Sequence, residues 1–251
     1  MSGRIPDSPR ESEMSQTVTL TIDGRQVQAE AGTTLLEAAR SVNIQIPHLC
    51  SNEELAPYGA CRMCMVEIRQ GQRTRLVASC IYEVEEGLEV QTVTERVLNV
   101  RRLVIELLLA RNPTHPTLLK MAADLGIEKT RFEVEVKGCI LCGLCVRTCR
   151  EVVGVSAIGF EGRGTSRRVT TPFNEAPPDC IACGACATVC PVGVIPLKDK
   201  AGIRTIWKTD YPLQRCESCG RIIAPVKQLE YFAKITNQPL SHFTEHCVHC
   251  R

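Results

Sequence analysis

The sequence predicts an α+β protein assembled from small modules in series, and three observations carry that prediction. Residues 17–94 read as two strands, a short helix and further strands around a cysteine-rich loop. The spacing C-x2-C-x2-C-x3-C occurs twice, at 139–149 and 180–190. Two C-x2-C pairs then stand near the C-terminus, at Cys216/Cys219 and Cys247/Cys250.

The elements follow in order. Residues 1–16 are polar and charged, and a disordered tail is expected there. "TVTLTIDGRQVQAEAG" (17–32) alternates and turns at Asp23-Gly24, which predicts a hairpin. "TTLLEAARSVN" (33–43) reads as an amphipathic helix capped by Thr33, with Leu35, Leu36 and Ala39 inward. Two strands around Gly71 are expected in 63–80 and another in 88–94. This order resembles a β-grasp domain spanning 17–94. A helical linker (95–136) follows: a helix over 95–111, then "NPTHP", whose Pro113 and Pro116 bracket His115, then a short helix over 117–127 closed by Gly126. The tandem cysteine runs form a module over 137–200, and the last pairs a four-cysteine module over 201–251.

Composition excludes several function classes. The formal net charge is only +2 and aromatic residues are 4% of the chain, so neither a basic nucleic-acid groove nor a base-stacking surface is indicated. The first sixteen residues lack the apolar stretch of a secretory signal. The most apolar run, "LVIELLLA" (103–110), is too short to span a bilayer and contains Glu106. Cytoplasmic localisation follows as the expectation, and in a reducing compartment sixteen closely spaced cysteines predict metal ligands rather than disulfides.

The cysteines sort into three groups. Cys50, Cys61, Cys64 and Cys80 are spaced C-x10-C-x2-C-x15-C, and four thiolates suit a [2Fe–2S] rhomb with two ligands per iron. A zinc knuckle is the competing reading. The small residues of "YGACRMC" let the backbone curl around a cluster. The long first gap resembles the N-terminal domain of the large iron–sulfur subunit of respiratory complex I and its relatives in NAD-reducing and [FeFe] hydrogenases. His48, in "IPHLC", reads as a structural neighbour, because four thiolates complete the site.

The second group lies in "GCILCGLCVRTCREVVGVSAI" and "DCIACGACATVCPVGVI". One C-x2-C-x2-C loop presents three thiolates to a cubane but does not easily reach the fourth corner. Here the chain resembles two-cluster bacterial ferredoxins, in which each run lends its last cysteine to the other cluster. That resemblance implies one [4Fe–4S] cluster on Cys139, Cys142, Cys145 and Cys190, and a second on Cys180, Cys183, Cys186 and Cys149. Two zinc knuckles are the alternative. The first run ends in Arg150 where such runs have proline; the second ends in Cys190-Pro191 as expected. Arg150 therefore removes no ligand: it either points inward and changes the surroundings of one site, favouring its reduced state, or is a solvated surface arginine.

The third group, Cys216, Cys219, Cys247 and Cys250, has the paired knuckles of a zinc-ribbon-like site. Zinc is the first choice, with iron or a further [4Fe–4S] cluster as alternatives. His242, His246 and His249 crowd the region but are not needed as ligands. The three groups use every cysteine, so no catalytic thiol remains.

In this order the modules resemble, over 17–196, the diaphorase iron–sulfur subunits of NAD-linked hydrogenases. Such proteins usually place a further cluster, held by one histidine and three cysteines, between the two domains. Here His115 stands at the corresponding histidine, but Leu119 and Ala122 occupy the first two cysteine positions, and no cysteine lies between Cys80 and Cys139. The resemblance implies an electron-transfer subunit of an NAD(P)H-linked complex with no catalytic site of its own. It implies as partners a flavin-containing NAD(P)H-binding subunit and a hydrogenase- or formate-dehydrogenase-type subunit or ferredoxin, and it is compatible with electron bifurcation. No G-x-G-x-x-G fingerprint marks a nucleotide site. A mainly structural scaffold is the alternative. A succinate dehydrogenase or fumarate reductase iron–sulfur subunit is a weaker one, since those resemble C-x4-C-x2-C in the first site.

Overall fold

The computed structural model describes residues 16–251, so the tail expected over 1–16 lies outside the described residues except for Gln16. The chain forms two compact units. One joins the segment ending at His48 to Arg62–Val104, and the other joins Leu49–Cys61 to Ile105–Arg251.

In the first unit, β1 (Thr17–Ile22) and β2 (Arg25–Glu30) form the expected hairpin. Asp23 and Gly24 both take positive φ, 49° and 79°, as a tight two-residue turn between twisted strands requires. Helix α1 (Leu35–Ser41) begins one residue later than expected: Thr34, not Thr33, is the cap. The reason is local. Glu37 lies three residues after Thr34, so the Thr34 hydroxyl takes the Glu37 N–H while the Glu37 carboxylate takes the Thr34 N–H at 2.9 Å. Such a reciprocal cap is worth about 1 kcal/mol. β3 (Met65–Gln70), β4 (Arg73–Ala78) and β5 (Glu89–Gln91) complete a sheet ordered β2-β1-β5-β3-β4, with β1 parallel to β5 and the other pairs antiparallel. Leu20, Ile22, Val66, Ile68 and Val90 point inward with period two and pack with Leu35, Leu36, Ala38 and Ala39 of α1. A mixed sheet around one helix is the β-grasp arrangement, and Cys64 and Cys80 are part of its core.

Helix α2 (Glu95–Arg111) starts in the first unit and ends in the second. Its buried Glu106 is paired with Arg131 at 3.1 Å. Helix α3 (Pro116–Asp124) has His115 as its cap, and the Nδ1 of His115 accepts the Thr117 N–H at 3.3 Å.

The two cysteine runs fold alike. Leu141 and Ala182 both have φ 56°, Gly143 and Gly184 have φ 79° and 83°, and each glycine opens a one-turn helix: α4 (Leu144–Arg147) or α5 (Ala185–Thr188). A side chain at either glycine would also force a neighbouring side chain to shift. A Cβ at Gly143 would lie 2.9 Å from Tyr58 Cε1, and one at Gly184 would lie 2.7 Å from Leu197 Cδ1. A π-helical turn (Thr148–Val152) follows α4 and carries Cys149. Between the runs, β6 (Gly159–Glu161) pairs with β7 (Arg168–Thr170).

After the second run, β8 (Leu197–Lys200), β9 (Ile203–Ile206), β10 (Thr209–Arg215) and β11 (Ile222–Pro225) make an antiparallel sheet in sequential order. This sheet runs across residue 200, where the sequence reading divides two modules. Ile206 and Tyr211 are buried with Cys145, Cys149, Cys180 and Cys186 in one cluster. Helices α6 (Val226–Thr236) and α7 (Ser241–Thr244) close the chain. No helix among the described residues is long and apolar enough to cross a membrane.

Candidate metal centres

Eight cysteines of the tandem runs line two cavities. One, of about 150 Å³, is walled by Cys139, Cys142, Cys145 and Cys190, with Ile140, Val192, Ile195 and Trp207 among its apolar lining. The other is walled by Cys149, Cys180, Cys183 and Cys186 with Val155, Ile158, Ile181 and Trp207. Each cavity thus takes three cysteines from one run and the last cysteine of the other. Cys190 raises the thiols of Cys139, Cys142 and Cys145, and Cys149 responds to Cys180 and Cys183, although Cys145 also feels Cys186 of the other cavity.

These walls suit clusters rich in sulfur. In the matching turns, the Leu141 N–H donates to Cys139 Sγ and the Ala182 N–H to Cys180 Sγ, each at 3.4 Å, and the Ala157 N–H reaches Cys149 Sγ at 3.3 Å. Burial pushes the thiols of Cys142 and Cys186 up to about 11, and that of Cys145 to about 12. Such thiols ionise at neutral pH only when a metal cation supplies the compensating charge. Trp207 also lowers the Cys186 thiol, against the larger effect of burial.

Three buried side-chain atoms among the described residues lack a hydrogen-bond partner: Arg101 Nε, Thr148 Oγ1 and Tyr211 Oη. All three belong to residues beside these cysteines. Thr148 precedes Cys149 in the chain, the Tyr211 hydroxyl is held above its ordinary pKa by burial and by Cys180, and Arg101 feels Cys64. Unsatisfied buried donors are costly, and of the three it is the Tyr211 hydroxyl that interacts with a cysteine sulfur, that of Cys180.

Cys50, Cys61, Cys64 and Cys80 are all buried. In the second unit, the Cys61 N–H donates to Cys50 Sγ at 3.3 Å. In the first, Ser79 Oγ and the Ser79 N–H both donate to the Cys64 carbonyl, at 2.8 and 3.0 Å. His48 is occupied structurally, its Nδ1 lying 2.9 Å from the Ile46 carbonyl. Arg147 is almost wholly buried and anchors the segment carrying Cys50 and Cys61, contacting the carbonyls of Cys50 and Ala56. Sequence reasoning missed this residue; an arginine inside a cysteine run gives no signal of which carbonyls it will meet. Arg150, by contrast, lies at the surface and pairs with Glu151 at 2.6 Å.

The C-terminal site is the most compact. The sulfurs of Cys216, Cys219, Cys247 and Cys250 all lie within 4.8 Å of one another, and Cys219 Sγ is 3.7 Å from Cys247 Sγ. A single tetrahedral ion with metal–sulfur bonds of about 2.3 Å spaces its ligands by about 3.8 Å. A cubane interposes four metals and four sulfides and holds its thiolates further apart. Each knuckle closes with an N–H···O turn of 2.9 Å, Gly220 to Cys216 and Cys250 to Cys247. The Cys247 N–H at 3.4 Å is the main reason the Cys216 thiol falls to about 5, while its neighbour Cys219 helps push Cys250 up to about 12. No histidine joins the group: His246 Nδ1 lies 3.2 Å from Ser218 Oγ, and His242 packs edge-on to Phe243.

Comparison with known proteins bears on the same regions. A family described as a 2Fe-2S iron-sulfur cluster binding domain matches residues 15–95, and a 4Fe-4S dicluster domain matches 137–194 and 179–224. An NADH-quinone oxidoreductase subunit of Rhizobium meliloti is 33% identical, over 81% of this chain and 27% of that protein. NADPH-Fe(3+) oxidoreductase subunit alpha of Geobacter sulfurreducens is 31% identical, over 71% of this chain and 24% of its own length. The chain therefore spans about a quarter of these relatives. A chain in the crystal structure of an NAD+-reducing [NiFe]-hydrogenase in the H2-reduced state aligns with a TM-score of 0.61 at 30% identity, covering 70% of this chain and 85% of that one.

Proposed function

Because the chain belongs to the family of electron-transfer iron–sulfur subunits shared by NAD-linked hydrogenases and the N-terminal region of the large complex I subunit, we propose that it carries electrons between a flavin-containing NAD(P)H-binding subunit and a partner. That partner is a hydrogenase- or formate-dehydrogenase-type subunit, or ferredoxin, and the assembly works in the cytoplasm. Cys50, Cys61, Cys64 and Cys80 hold a [2Fe–2S] cluster. Cys139, Cys142, Cys145 and Cys190 hold one [4Fe–4S] cluster, and Cys180, Cys183, Cys186 and Cys149 the other. Cys216, Cys219, Cys247 and Cys250 hold zinc, in a docking rather than a redox role.

The observation that carries this reading is the pair of cavities, each lined by four cysteines drawn from both runs. The clusters supply one-electron chemistry at potentials set by charge, hydrogen bonds and solvent access. Within the second unit, Cys50 bears on Cys142, and Cys186 on Cys145. The 3.7 Å sulfur separation supports a single ion at the C-terminus.

Iron, acid-labile sulfide and zinc in anaerobically purified protein test the assignment. About ten irons and one zinc per chain are expected. About fourteen irons and no zinc would make the C-terminal site a fourth cluster and an electron exit. Adding NADH and the flavin subunit should then reduce the clusters; failure to do so would favour a structural scaffold.

A further inference from the structure

A cleft of about 590 Å³ opens beside the first cubane cavity, and the two share Lys137 and Cys139 as common wall residues. Four cations line it, Arg111, Lys137, Arg167 and Arg168, against one carboxylate, Glu161. Glu161 pairs with Arg168 at 2.7 Å and Lys137 pairs with Glu135 at 2.5 Å, which leaves Arg111 and Arg167 as the cations of the wall without a carboxylate among the described residues; Arg167 stacks over the Phe160 ring with its guanidinium carbon 4.2 Å from the centroid. Arg111 forms the inner wall, its Nε donating to the Cys139 carbonyl at 3.1 Å. Cys139 itself is only partly buried, whereas Cys142 and Cys145 are buried.

Cationic charge is therefore concentrated beside Cys139, which with Cys190 is one of the two only partly buried cysteines of this set. Cys139 is the cluster-ligand residue of this wall, among hydroxyl and cationic side chains. We infer that this cleft is the docking surface for an acidic one-electron carrier protein of the ferredoxin type, which exchanges its electron through the Cys139 edge. The inference rests on the reading that Cys139, Cys142, Cys145 and Cys190 hold a cubane. In the step, one electron leaves the reduced carrier and enters the oxidised centre; no bond forms or breaks and no proton moves. Charge complementarity selects the partner: an anionic protein face is drawn to the cleft, whereas a cationic one is repelled.

The test uses the full chain with its clusters, mixed anaerobically in stopped flow with a reduced acidic [2Fe–2S] ferredoxin or with reduced methyl viologen, a small cation. Arg167→Glu with Arg168→Glu should slow reduction by ferredoxin about tenfold or more at low ionic strength, and the difference should shrink as salt screens it. Neutral Arg167→Gln with Arg168→Gln should fall between. Reduction by methyl viologen should not slow in either variant, and iron, sulfide and resonance signals should match the parent. Equal slowing with both reductants would mean damage to the cluster and would overturn the inference. So would an unchanged ferredoxin rate, including the case in which inorganic pyrophosphate binds the cleft and the reversals abolish only that binding. If Cys139→Ser leaves both cubane signals intact, the ligand reading itself fails, a result distinct from loss of docking alone.

Discussion

The guanidinium carbon of Arg147 lies 4.9 Å from the centre of the Tyr58 ring. The same side chain reaches the carbonyls of Cys50 and Ala56 and sits 3.6 Å from Glu151, one turn further along its helix. Arg147 follows Cys145 by two residues, and Tyr58 lies between Cys50 and Cys61. One buried cation thus ties the segment bearing two thiols of the first site to the helix bearing a thiol of the second. Arg147→Met removes these charged hydrogen bonds and should cost about 2–4 kcal/mol in urea unfolding. It should also disturb the [2Fe–2S] resonance through Cys50, and more strongly than the resonance of either cubane. A [2Fe–2S] signal identical to the parent's would show that Arg147 does not position Cys50.

The Tyr211 hydroxyl offers a second, separable handle. It is buried, lacks a conventional partner and faces the Cys180 thiol. A donor to a cluster thiolate favours the reduced, more negative state, so Tyr211→Phe should lower the potential of that cubane by about 20–60 mV, the equivalent of one net hydrogen bond. A redox titration followed by electron paramagnetic resonance reads the shift. The other two clusters should titrate as before.

Arg101 makes the corresponding argument for the β-grasp site. Its Nη2 donates to the Met65 carbonyl at 2.7 Å, its Nε is unsatisfied, and burial is the main cause lowering its pKa, opposed by Cys64. A fixed positive charge beside Cys64 stabilises added negative charge on the site. Arg101→Gln should therefore shift the [2Fe–2S] potential downward by on the order of 50 mV. A shift of equal size in the cubanes would instead indicate a general loss of packing.

What the sequence disclosed depended on whether the signal was local. The Asp23-Gly24 turn, the strands flanking it and the repeated cysteine spacing are written in adjacent residues, and the β-grasp and dicluster modules follow from them. The four-stranded sheet after residue 196 was not legible. Its strands are short, "LKDK" has no apolar alternation, and Pro212 sits within β10, where proline argues against a paired strand. The chain accommodates it next to a register shift between Leu213 and Arg215. The same sheet and its β9–β10 turn supply Ile206 and Trp207 to the cavities and Tyr211 to the core beside them, so these surroundings of the cysteines were hidden along with it. His115 also illustrates the limit. Its place in the chain matched a ligand position, yet its ring caps α3.

The C-terminal knuckles allow a test in which structure and redox separate. Cys216 and Cys247 are buried while Cys219 is exposed, so the site holds the chain end together from one side and leaves the other side open. Replacing Cys216 and Cys219 with serine removes two of four thiolates, and a tetrahedral ion of the zinc type is then lost. Zinc content should fall from about one per chain to near zero, and binding to partner subunits should weaken in size-exclusion runs. Iron content and every cluster resonance should remain. Loss of a paramagnetic signal along with the metal would instead make this fourth site part of the electron path.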